Sequence, residues 1–414
     1  MRNLALVFPG QGCQYVGMGK EFFEKYSLVK KIFEEANEYL GIDLQKLIFE
    51  GDIQELTKTE NAQPAILTVC YAMFKTYMER YEIIPQYSAG HSLGELTALT
   101  CSGSIDFKDA IILSKKRGQF MKEAADSSLG AMAAINGIDV SLVEEECRKH
   151  SSENFQDIVV VSNYNSMNQT VISGYKHSVK EVSEKLSNKG SRVVPLNVSG
   201  AFHSPLMKVA SERFKKELEK YTYYDTRWPV ISNVNAVEYK DKNDIIKNLS
   251  MQMVKPVQWV NTINLLKIKG IQNILEIGPN TVLGDLIKKE YSKITVLSYD
   301  KVSDVETLNM KLNGRNTLKL GDLIIRCLSE AVCTKNMNWN VEEYQKGVVE
   351  PYNKIQQIQE EYERTEQEPT IEKCKEVLSL FFLILNTKKT PKNEIERIIE
   401  EISIETGVKE LIEE

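Results

Sequence analysis

The chain has 414 residues, of which 42% are hydrophobic and 27% are charged, and its formal net charge is −6. This balance is typical of soluble globular proteins, and the length predicts two or three domains. The net negative charge argues against nucleic acid as a partner. The apolar segments are too short to cross a bilayer, and the N-terminus lacks the layout of a signal peptide.

Cysteine and histidine usage excludes two further classes. The seven cysteines include no Cys-x-x-Cys pair, and none of the four histidines lies at ligand spacing from another histidine or a cysteine. An odd number of cysteines without a secretion signal predicts reduced thiols in a cytoplasmic protein. We therefore expect neither disulfides nor a metal site.

The first part of the chain alternates short apolar runs with longer helical patterns. Leu4–Phe8 and Pro85–Gly90 are predicted to be strands. Apolar residues at helical spacing mark Phe22–Leu40, Pro64–Arg80 and Phe107–Ala125. Such alternation predicts an α/β fold with a parallel sheet.

From Gly130 the pattern changes to short β-like runs around two helices. The predicted elements in chain order are strand Ala131–Ile135, helix Val140–His150, strands Ile158–Asn163 and Thr170–Ser173, helix Ser178–Asn188 and strand Arg192–Leu196. This is the order of a ferredoxin-like unit. Later strands at Val230–Asn233, Asn273–Ile277 and Thr295–Ser298 are expected to rejoin the first sheet. The small unit is therefore an insertion, and a cleft is expected where it meets the large one.

Beyond about Val305 the pattern is helical. The predicted helices are Leu318–Val332, Val341–Glu366, Ile371–Leu385 and Pro391–Ile404. The third carries an apolar stripe, Ile371, Cys374, Val377, Leu378, Phe381, Phe382 and Leu385, which must pack against something. The simplest partner is the rest of the protein, and a docking surface for a synthase is the alternative. The expected domains are residues 1–127 and 198–304 (large), 128–197 (small) and 305–414 (C-terminal helical extension).

Gly90-His91-Ser92-Leu93-Gly94 fits the G-x-S-x-G pattern of a nucleophile elbow. It follows a predicted strand and precedes a helical segment, the context in which such a serine is exposed. The helix N-terminus would present N–H groups to a developing oxyanion. On these residues alone, an ordinary structural turn remains an equal alternative.

A serine nucleophile needs a nearby base, and His203 is the candidate. It stands in the small-residue loop Gly200-Ala201-Phe202-His203-Ser204-Pro205. A lone histidine is more often structural, and the sequence nominates no aspartate as a third triad member.

Five ordered motifs extend this pattern. They are Phe8-Pro9-Gly10-Gln11-Gly12, Thr59-Glu60-Asn61-Ala62-Gln63-Pro64-Ala65, Gly90-His91-Ser92-Leu93-Gly94-Glu95, the His203 loop and Glu276-Ile277-Gly278-Pro279. Together they resemble malonyl-CoA:acyl carrier protein transacylases over roughly Met1 to Val302. The resemblance implies an α/β-hydrolase-like large domain with an inserted ferredoxin-like small domain, in agreement with the patterns above.

The resemblance also implies roles for individual residues. Ser92 would be the acyl nucleophile and His203 its base, oriented by the backbone carbonyl of Gln252. The N–H groups of Gln11 and Leu93 would form the oxyanion hole. His91 would also contact the substrate. Gln63 and Asn165 would be polar positions of the cleft, and for these two a structural role remains an equal alternative.

Two residues would select the acyl group. Arg117 matches the arginine that binds the substrate carboxylate, for which a planar guanidinium is suited. Phe202 resembles the malonyl-selecting version of its loop, in which an aromatic ring leaves little room at the α-carbon. Malonyl-CoA would be the substrate and an acyl carrier protein the partner, without a bound cofactor. The candidates for a basic docking edge are Lys176, Lys180, Lys185, Lys189 and Arg192.

Several alternatives remain at this point. An acyl-carrier thioester hydrolase on the same scaffold would have no use for Arg117. A catalytically idle docking subunit would not need Ser92 and His203, and a lipase-type esterase leaves the N-terminal glycine loop unexplained. The helical extension is not expected in a fatty-acid enzyme and favours a free-standing acyltransferase of a polyketide synthase.

Overall fold

The computed structural model describes residues 3–153, 157–198, 200–316, 320–365 and 369–406. The chain divides into two compact units, Met1–Glu306 and Thr307–Glu414. Across the described ranges, no helix is both long and apolar enough to cross a membrane. The strands are β1 (Leu4–Phe8), β2 (Tyr87–Gly90), β3 (Gly130–Asn136), β4 (Val159–Ser166), β5 (Gln169–Tyr175), β6 (Arg192–Pro195), β7 (Val230–Ile231), β8 (Asn273–Glu276) and β9 (Thr295–Ser298).

The first sheet is parallel and has the strand order β7-β2-β1-β8-β9. All five residues of β1 are buried, as expected for the central strand of a parallel sheet covered on both faces. The predicted α/β class is confirmed, and the three strands expected to return to this sheet do so.

The second sheet is antiparallel, with the order β4-β5-β3-β6. Its strands and two helices follow one another in the predicted βαββαβ order. Ile172, Val182 and Leu186 are buried in the apolar core on one face of this sheet. The limits of 128 and 197 bracket the sheet and, as domain boundaries, stay a prediction.

The first unit contains most of the helices. They are α1 (Lys20–Lys25), α2 (Ser27–Leu40), α3 (Leu44–Glu50), α4 (Ile53–Thr57), α5 (Thr59–Tyr81), α6 (Leu93–Cys101), α7 (Phe107–Ser128), α8 (Val140–Glu153), α9 (Lys176–Asn188), α10 (Lys208–Leu218), α11 (Asn243–Gln252), α12 (Trp259–Ile268) and α13 (Val282–Lys288). The predicted single helix from Phe22 is interrupted at Tyr26, whose backbone is extended. The predicted start at Pro64 is wrong, since α5 begins at Thr59 and tolerates the proline near its N-terminal end.

From Val302 onward the described chain is helical. The elements are α14 (Val302–Asn316), α15 (Leu320–Cys333), α16 (Val341–Tyr344), a π-helical turn at Gln345–Val349, α17 (Glu350–Thr365), α18 (Ile371–Thr387) and α19 (Lys392–Thr406). The helix predicted from Val341 therefore contains a π turn, directly before Pro351. Because proline lacks an N–H and its ring clashes with the carbonyl four residues back, a local widening of the helix relieves the conflict. Glu366 and the acidic C-terminal residues from 407 lie outside the described residues.

The second unit has its own apolar core, formed by residues of α15, α17, α18 and α19. Most of the predicted stripe lies in it, including the fully buried Phe381. Ile371 is exposed and Phe382 is half-buried. The other helices of the extension cover this stripe, so the partner of the stripe lies within the protein.

Candidate active site

Ser92 lies in a sharp turn between β2 and α6. Its backbone has φ 53° and ψ −108°, a strained conformation for a residue with a side chain. Both flanking glycines are required by close backbone approaches. A Cβ on Gly90 would lie 1.9 Å from the carbonyl group of Gly94, and one on Gly94 would lie 2.0 Å from the carbonyl oxygen of Phe8. The turn therefore has the strand-turn-helix geometry of a nucleophile elbow.

Ser92, His203 and Gln252 form a continuous hydrogen-bonded chain. The Oγ of Ser92 lies 2.8 Å from Nε2 of His203. On the other side of the ring, Nδ1 lies 2.7 Å from the backbone oxygen of Gln252. A carbonyl only accepts hydrogen bonds, so Nδ1 carries the proton and Nε2 is free to accept the serine proton. No aspartate is needed to fix this tautomer.

Burial keeps the His203 imidazole neutral. The side chain is 4% exposed, and its pKa is lowered from 6.5 to about 3, mainly by burial. The positive charge of Arg117 contributes to this lowering, and the hydrogen bond to Gln252 opposes it. The imidazole is therefore in its basic form at neutral pH.

Arg117, on α7, is buried beside the nucleophile. Its Nη2 donates to Oγ of Ser92 at 3.2 Å and to the side-chain oxygen of Gln252 at 2.7 Å. Its Nη1 donates to the side-chain oxygen of Gln63 at 2.8 Å. Burial lowers the pKa of Arg117 to about 10, so the guanidinium stays charged. Among the described residues, the oxygens that accept hydrogen bonds from it directly are neutral, so it can accommodate a carboxylate.

Two buried residues that the sequence reasoning did not assign complete the elbow. Glu95, on α6, accepts hydrogen bonds from the hydroxyl of Tyr239 and from Nε2 of Gln252, both at 2.5 Å. Asn233 follows β7 and accepts the backbone N–H of Ser92 at 2.7 Å. Glu95 belongs to the elbow motif, and Asn233 follows a strand adjacent to β2. Polar residues at the carboxyl ends of parallel strands are a general signal of a site.

The elbow opens into a cavity of about 450 Å³. The residues that line it include Gln11, Gln63, His91, Ser92, Leu93, Arg117, Met121, Met132, Asn163, Asn165, Phe202, His203, Leu283 and Lys289. Phe202 is 5% exposed and narrows the space beside His203. Nine of the ten predicted site residues line this cavity, and Gln252 is hydrogen-bonded to three of them, His203, Arg117 and Ser92.

Gln11 and Leu93 approach the serine from two different loops. A Cβ on Gly10 would lie 2.4 Å from the carbonyl oxygen of His91, so glycine is needed for the two loops to meet. The hydroxyl of Thr59 donates to the side-chain oxygen of Gln11 at 2.6 Å. This contact directs the Gln11 side chain toward α5 and leaves the backbone of the loop next to the cavity.

His91 and Asn165 belong to a row of polar side chains that extends onto the antiparallel sheet. Nε2 of His91 lies 2.9 Å from the side-chain oxygen of Asn165. Asn165 donates to Gln169, which in turn donates to Asn136, each at 2.9 Å. The predicted cleft residues therefore link the elbow to β3, β4 and β5.

The basic residues predicted as a docking edge lie on α9, directly after it (Lys189) and on β6. All five are exposed, and none of them is among the residues that line the cavity. Two are paired, Lys189 with Glu146 at 2.7 Å and Lys180 with Glu184 at 3.9 Å. All seven cysteines are free thiols. Within the described part of the chain, no group of acidic, histidine or cysteine residues could hold a metal ion.

Comparison with known proteins identifies the family. The acyl transferase domain model matches residues 5–319. A Bacillus subtilis protein named malonyl CoA-acyl carrier protein transacylase is 37% identical over 401 residues, which cover 96% of this chain and all of that protein. A second protein of that name, from Bacillus subtilis strain 168, is 43% identical over 313 residues, 75% of this chain and 97% of its own.

Solved structures agree. A malonyl CoA-acyl carrier protein transacylase from Clostridium perfringens is 37% identical and superposes with a TM-score of 0.72 over 76% of this chain and 99% of its own. A malonyl-transacylase in complex with a type II polyketide synthase acyl-carrier protein is 35% identical, with a TM-score of 0.71 over 74% and 98%. The chain therefore belongs to the acyl transferase family and is an acyltransferase.

Proposed function

We propose that this protein transfers a malonyl group from coenzyme A to the phosphopantetheine thiol of an acyl carrier protein, through an ester on Ser92. The observation that carries the proposal is the position of the Ser92 hydroxyl, 2.8 Å from a basic imidazole nitrogen and 3.2 Å from a buried guanidinium. The first contact suits acyl transfer in general, and the second suits an acyl group that ends in a carboxylate. The names of the relatives at 37% and 43% identity support the same substrate.

In the first half-reaction, His203 removes the Ser92 proton as Oγ attacks the thioester carbonyl. The backbone N–H groups of Gln11 and Leu93 stabilise the oxyanion. When the tetrahedral intermediate collapses, the imidazolium returns the proton to the leaving sulfur of coenzyme A. The carbonyl of Gln252 orients the ring throughout.

Arg117 and Phe202 select the acyl group. The guanidinium of Arg117 pairs with the malonyl carboxylate. The side-chain amides of Gln63 and Gln252 hold the guanidinium in position. The Phe202 ring restricts a substituent at the α-carbon, with a discrimination of about 1–3 kcal/mol per methyl-sized group. Phe202→Ser is therefore expected to relax the exclusion of methylmalonyl-CoA.

In the second half-reaction, the carrier thiol attacks the malonyl ester. His203 removes the thiol proton and returns it to Oγ of Ser92. The exposed basic residues of α9 and β6 are the proposed docking edge for an acidic carrier. Of these, Lys176, Lys185 and Arg192 form no ion pair with a described residue, so they are the more available for a partner.

We further propose that the carrier belongs to a polyketide synthase rather than to primary fatty acid synthesis. The helical extension supports this assignment. The 43% identical relative is aligned over 97% of its own length but over only 75% of this chain, so it has little sequence left to match the extension. A relative that matches 96% of the chain shows that the extension also occurs elsewhere. We expect residues 305–414 to form a separate domain, in addition to the large and small domains.

One experiment tests both levels of the proposal. The protein is incubated with malonyl-CoA and a matched panel of fatty-acid and polyketide carrier proteins, and malonyl-carrier is measured by intact mass. Malonyl transfer to any carrier supports the general activity, and a higher kcat/KM with polyketide carriers supports the second proposal. Hydrolysis of malonyl-CoA without transfer would overturn the first, and a preference for fatty-acid carriers would overturn the second.

A further inference from the structure

Two side chains of opposite charge are buried beside the nucleophile. Arg117 is 2% exposed and Glu95 is completely buried. The side-chain amide of Gln252 links them, since its oxygen accepts from Nη2 of Arg117 at 2.7 Å and its Nε2 donates to Oε2 of Glu95 at 2.5 Å. The mechanism above gives Glu95 no role, although its charge balances that of Arg117.

The groups around Glu95 can all donate hydrogen bonds to it, which stabilises an ionised carboxylate in the empty site. Tyr239 donates its hydroxyl to Oε1 at 2.5 Å, opposite the Gln252 contact. The N–H of Asn233 and the hydroxyl of Ser232 also act on this carboxyl group. Burial raises the pKa of Glu95, whereas these four donors lower it. Hydrogen bonds donated to a carboxylate stabilise its ionised form, so the group is not required to carry a proton.

A malonyl group on Ser92 changes this balance. Its carboxylate and that of Glu95 would then share one guanidinium in a buried site, which leaves an uncompensated negative charge. Besides Arg117, the titratable groups of the described structure that face this region are Tyr239, whose pKa burial raises well above its usual value, His203, whose pKa is about 3, and His91, whose pKa burial lowers. None of these three loses or gains a proton readily.

We propose that Glu95 is the resident counterion of Arg117 and takes up one proton when the substrate carboxylate pairs with Arg117. The buried site is then neutral both when empty and when loaded with a malonyl group. Glu95 is a positioning residue, because it acts through Gln252 and does not contact the cavity. The inference rests on the proposed function and explains how one site accepts a charged acyl group without keeping an unpaired charge.

The proton balance makes this role measurable. During acylation the Ser92 proton passes through His203 to the sulfur of coenzyme A, and a thiol keeps its proton at neutral pH. The transfer itself therefore changes no protons in solution. The proton on Glu95 comes from solvent and returns to it when the malonyl group leaves. An acetyl group brings no carboxylate and requires no proton.

The test is a first-turnover experiment in weak buffer at neutral pH with a coloured pH indicator. The full-length protein is mixed with malonyl-CoA or with acetyl-CoA, and the acyl-enzyme is quantified by intact mass. We expect uptake of about one proton per malonyl-enzyme and none per acetyl-enzyme. Equal uptake with both substrates would overturn the inference. Absence of the malonyl adduct would instead contradict the proposed function.

Glu95→Gln locates the proton, because glutamine has nearly the same size and keeps one acceptor oxygen but takes up no proton at neutral pH. We expect malonyl loading without proton uptake, and a several-fold higher ratio of malonyl to acetyl loading because Arg117 has lost its counterion. Persistent uptake would place the proton on His203 and overturn the inference, and an unchanged ratio would reduce Glu95 to a structural role. Glu123→Gln, at an exposed position, should behave as the unaltered protein. Should Glu95→Gln fail to fold, the malonyl-to-acetyl comparison in the unaltered protein decides alone.

Discussion

The two units of the chain bury charge in different ways. In the first unit, Arg117, Glu95 and His203 are buried near a cavity that is large enough for a ligand. In the second, Lys388 is also buried, but its Nζ donates to the backbone oxygens of Ala331 and Thr334 at 2.6 and 2.8 Å. The lysine therefore fixes the end of α15 in place. A buried charge indicates chemistry only where its partners leave room for a substrate.

This contrast divides the expected effects of substitutions. Changes around the cavity should affect acyl transfer far more than folding, because the groups there face an open space. Changes in the helical unit should affect its stability alone, since its core is formed within α15 to α19. Each of the following predictions tests whether the two units affect acyl transfer and stability separately.

The largest effect is expected for Ser92→Ala. Without Oγ no ester can form, so the malonyl adduct seen by intact mass after mixing with malonyl-CoA should disappear. Ser104→Ala is a matched control, because Oγ of Ser104 is buried and has no hydrogen-bond partner among the residues that the structure describes. A persistent adduct in Ser92→Ala would place the nucleophile elsewhere.

His203→Ala should lower the rate of self-acylation by about 10²–10⁴-fold. The serine loses the only imidazole within hydrogen-bond distance of Oγ in the described structure. The rate is measured by quenched flow and intact mass at saturating malonyl-CoA. His177→Ala removes an exposed histidine paired with Asp157 and should leave the rate unchanged. A His203→Ala rate within tenfold of the unaltered protein would exclude His203 as the base.

Much of the fold could be predicted because its signals are local. Leu4–Phe8 and Thr295–Ser298 are strands with the predicted bounds, and the βαββαβ order of the insertion follows from short apolar runs. The break at Tyr26 depends on tertiary packing, which periodicity does not record. The packing of the stripe around Phe381 could not be predicted either, because an amphipathic helix does not specify what covers it.

Arg117→Ala should reduce malonyl loading by roughly 10²–10³-fold or more, since a buried malonyl carboxylate would lack its partner. Acetyl loading should fall less, so the ratio of acetyl to malonyl kcat/KM rises. The ratio is measured by competition between the two coenzyme A esters. Arg213→Ala, which removes an exposed partner of Glu123, is the control. An equal fall for both esters would refute the carboxylate role.

The site could be predicted in part. Ser92 is marked by its motif, whereas His203, Arg117 and Gln252 are assigned through resemblance, because each is an unremarkable residue in its local sequence. The fold brings them together from four segments of the chain. Glu95 and Asn233 were not assigned, although one lies in the elbow motif and the other follows a strand of the main sheet. Their roles depend on contacts with Gln252 and the Ser92 N–H, which sequence spacing does not reveal.

A smaller effect is expected from pH. Because burial holds the pKa of His203 at about 3, the imidazole remains basic and the first-turnover rate should not fall between about pH 8 and pH 5. The unfolded chain binds a proton at this histidine below about pH 6.5 and the folded protein does not. The free energy of unfolding should therefore decrease as the pH falls below that value. A rate that halves near pH 6.5 would contradict the lowered pKa.

The smallest effect on acylation is expected from the helical unit. Phe381→Ala removes a completely buried ring from its core and should lower the free energy of unfolding of this unit by about 3–5 kcal/mol. Acylation of Ser92 should be unchanged, because every residue assigned to the chemistry precedes Glu306. Leu383→Ala on the same helix, where the side chain is 46% exposed, should cost far less stability.

A chain that ends at Asn316 extends this test, because it keeps α14 whole and lacks the core of the helical unit. We expect it to form the malonyl adduct at the rate of the full chain while circular dichroism shows a folded protein. Loss of acylation in such a folded, shortened chain would break the division between the two units. Normal acylation with impaired transfer to one carrier, and not to others, would instead assign the helical unit to carrier choice. That outcome would bear on why one relative of the same name covers 75% of the chain while another covers 96% of it.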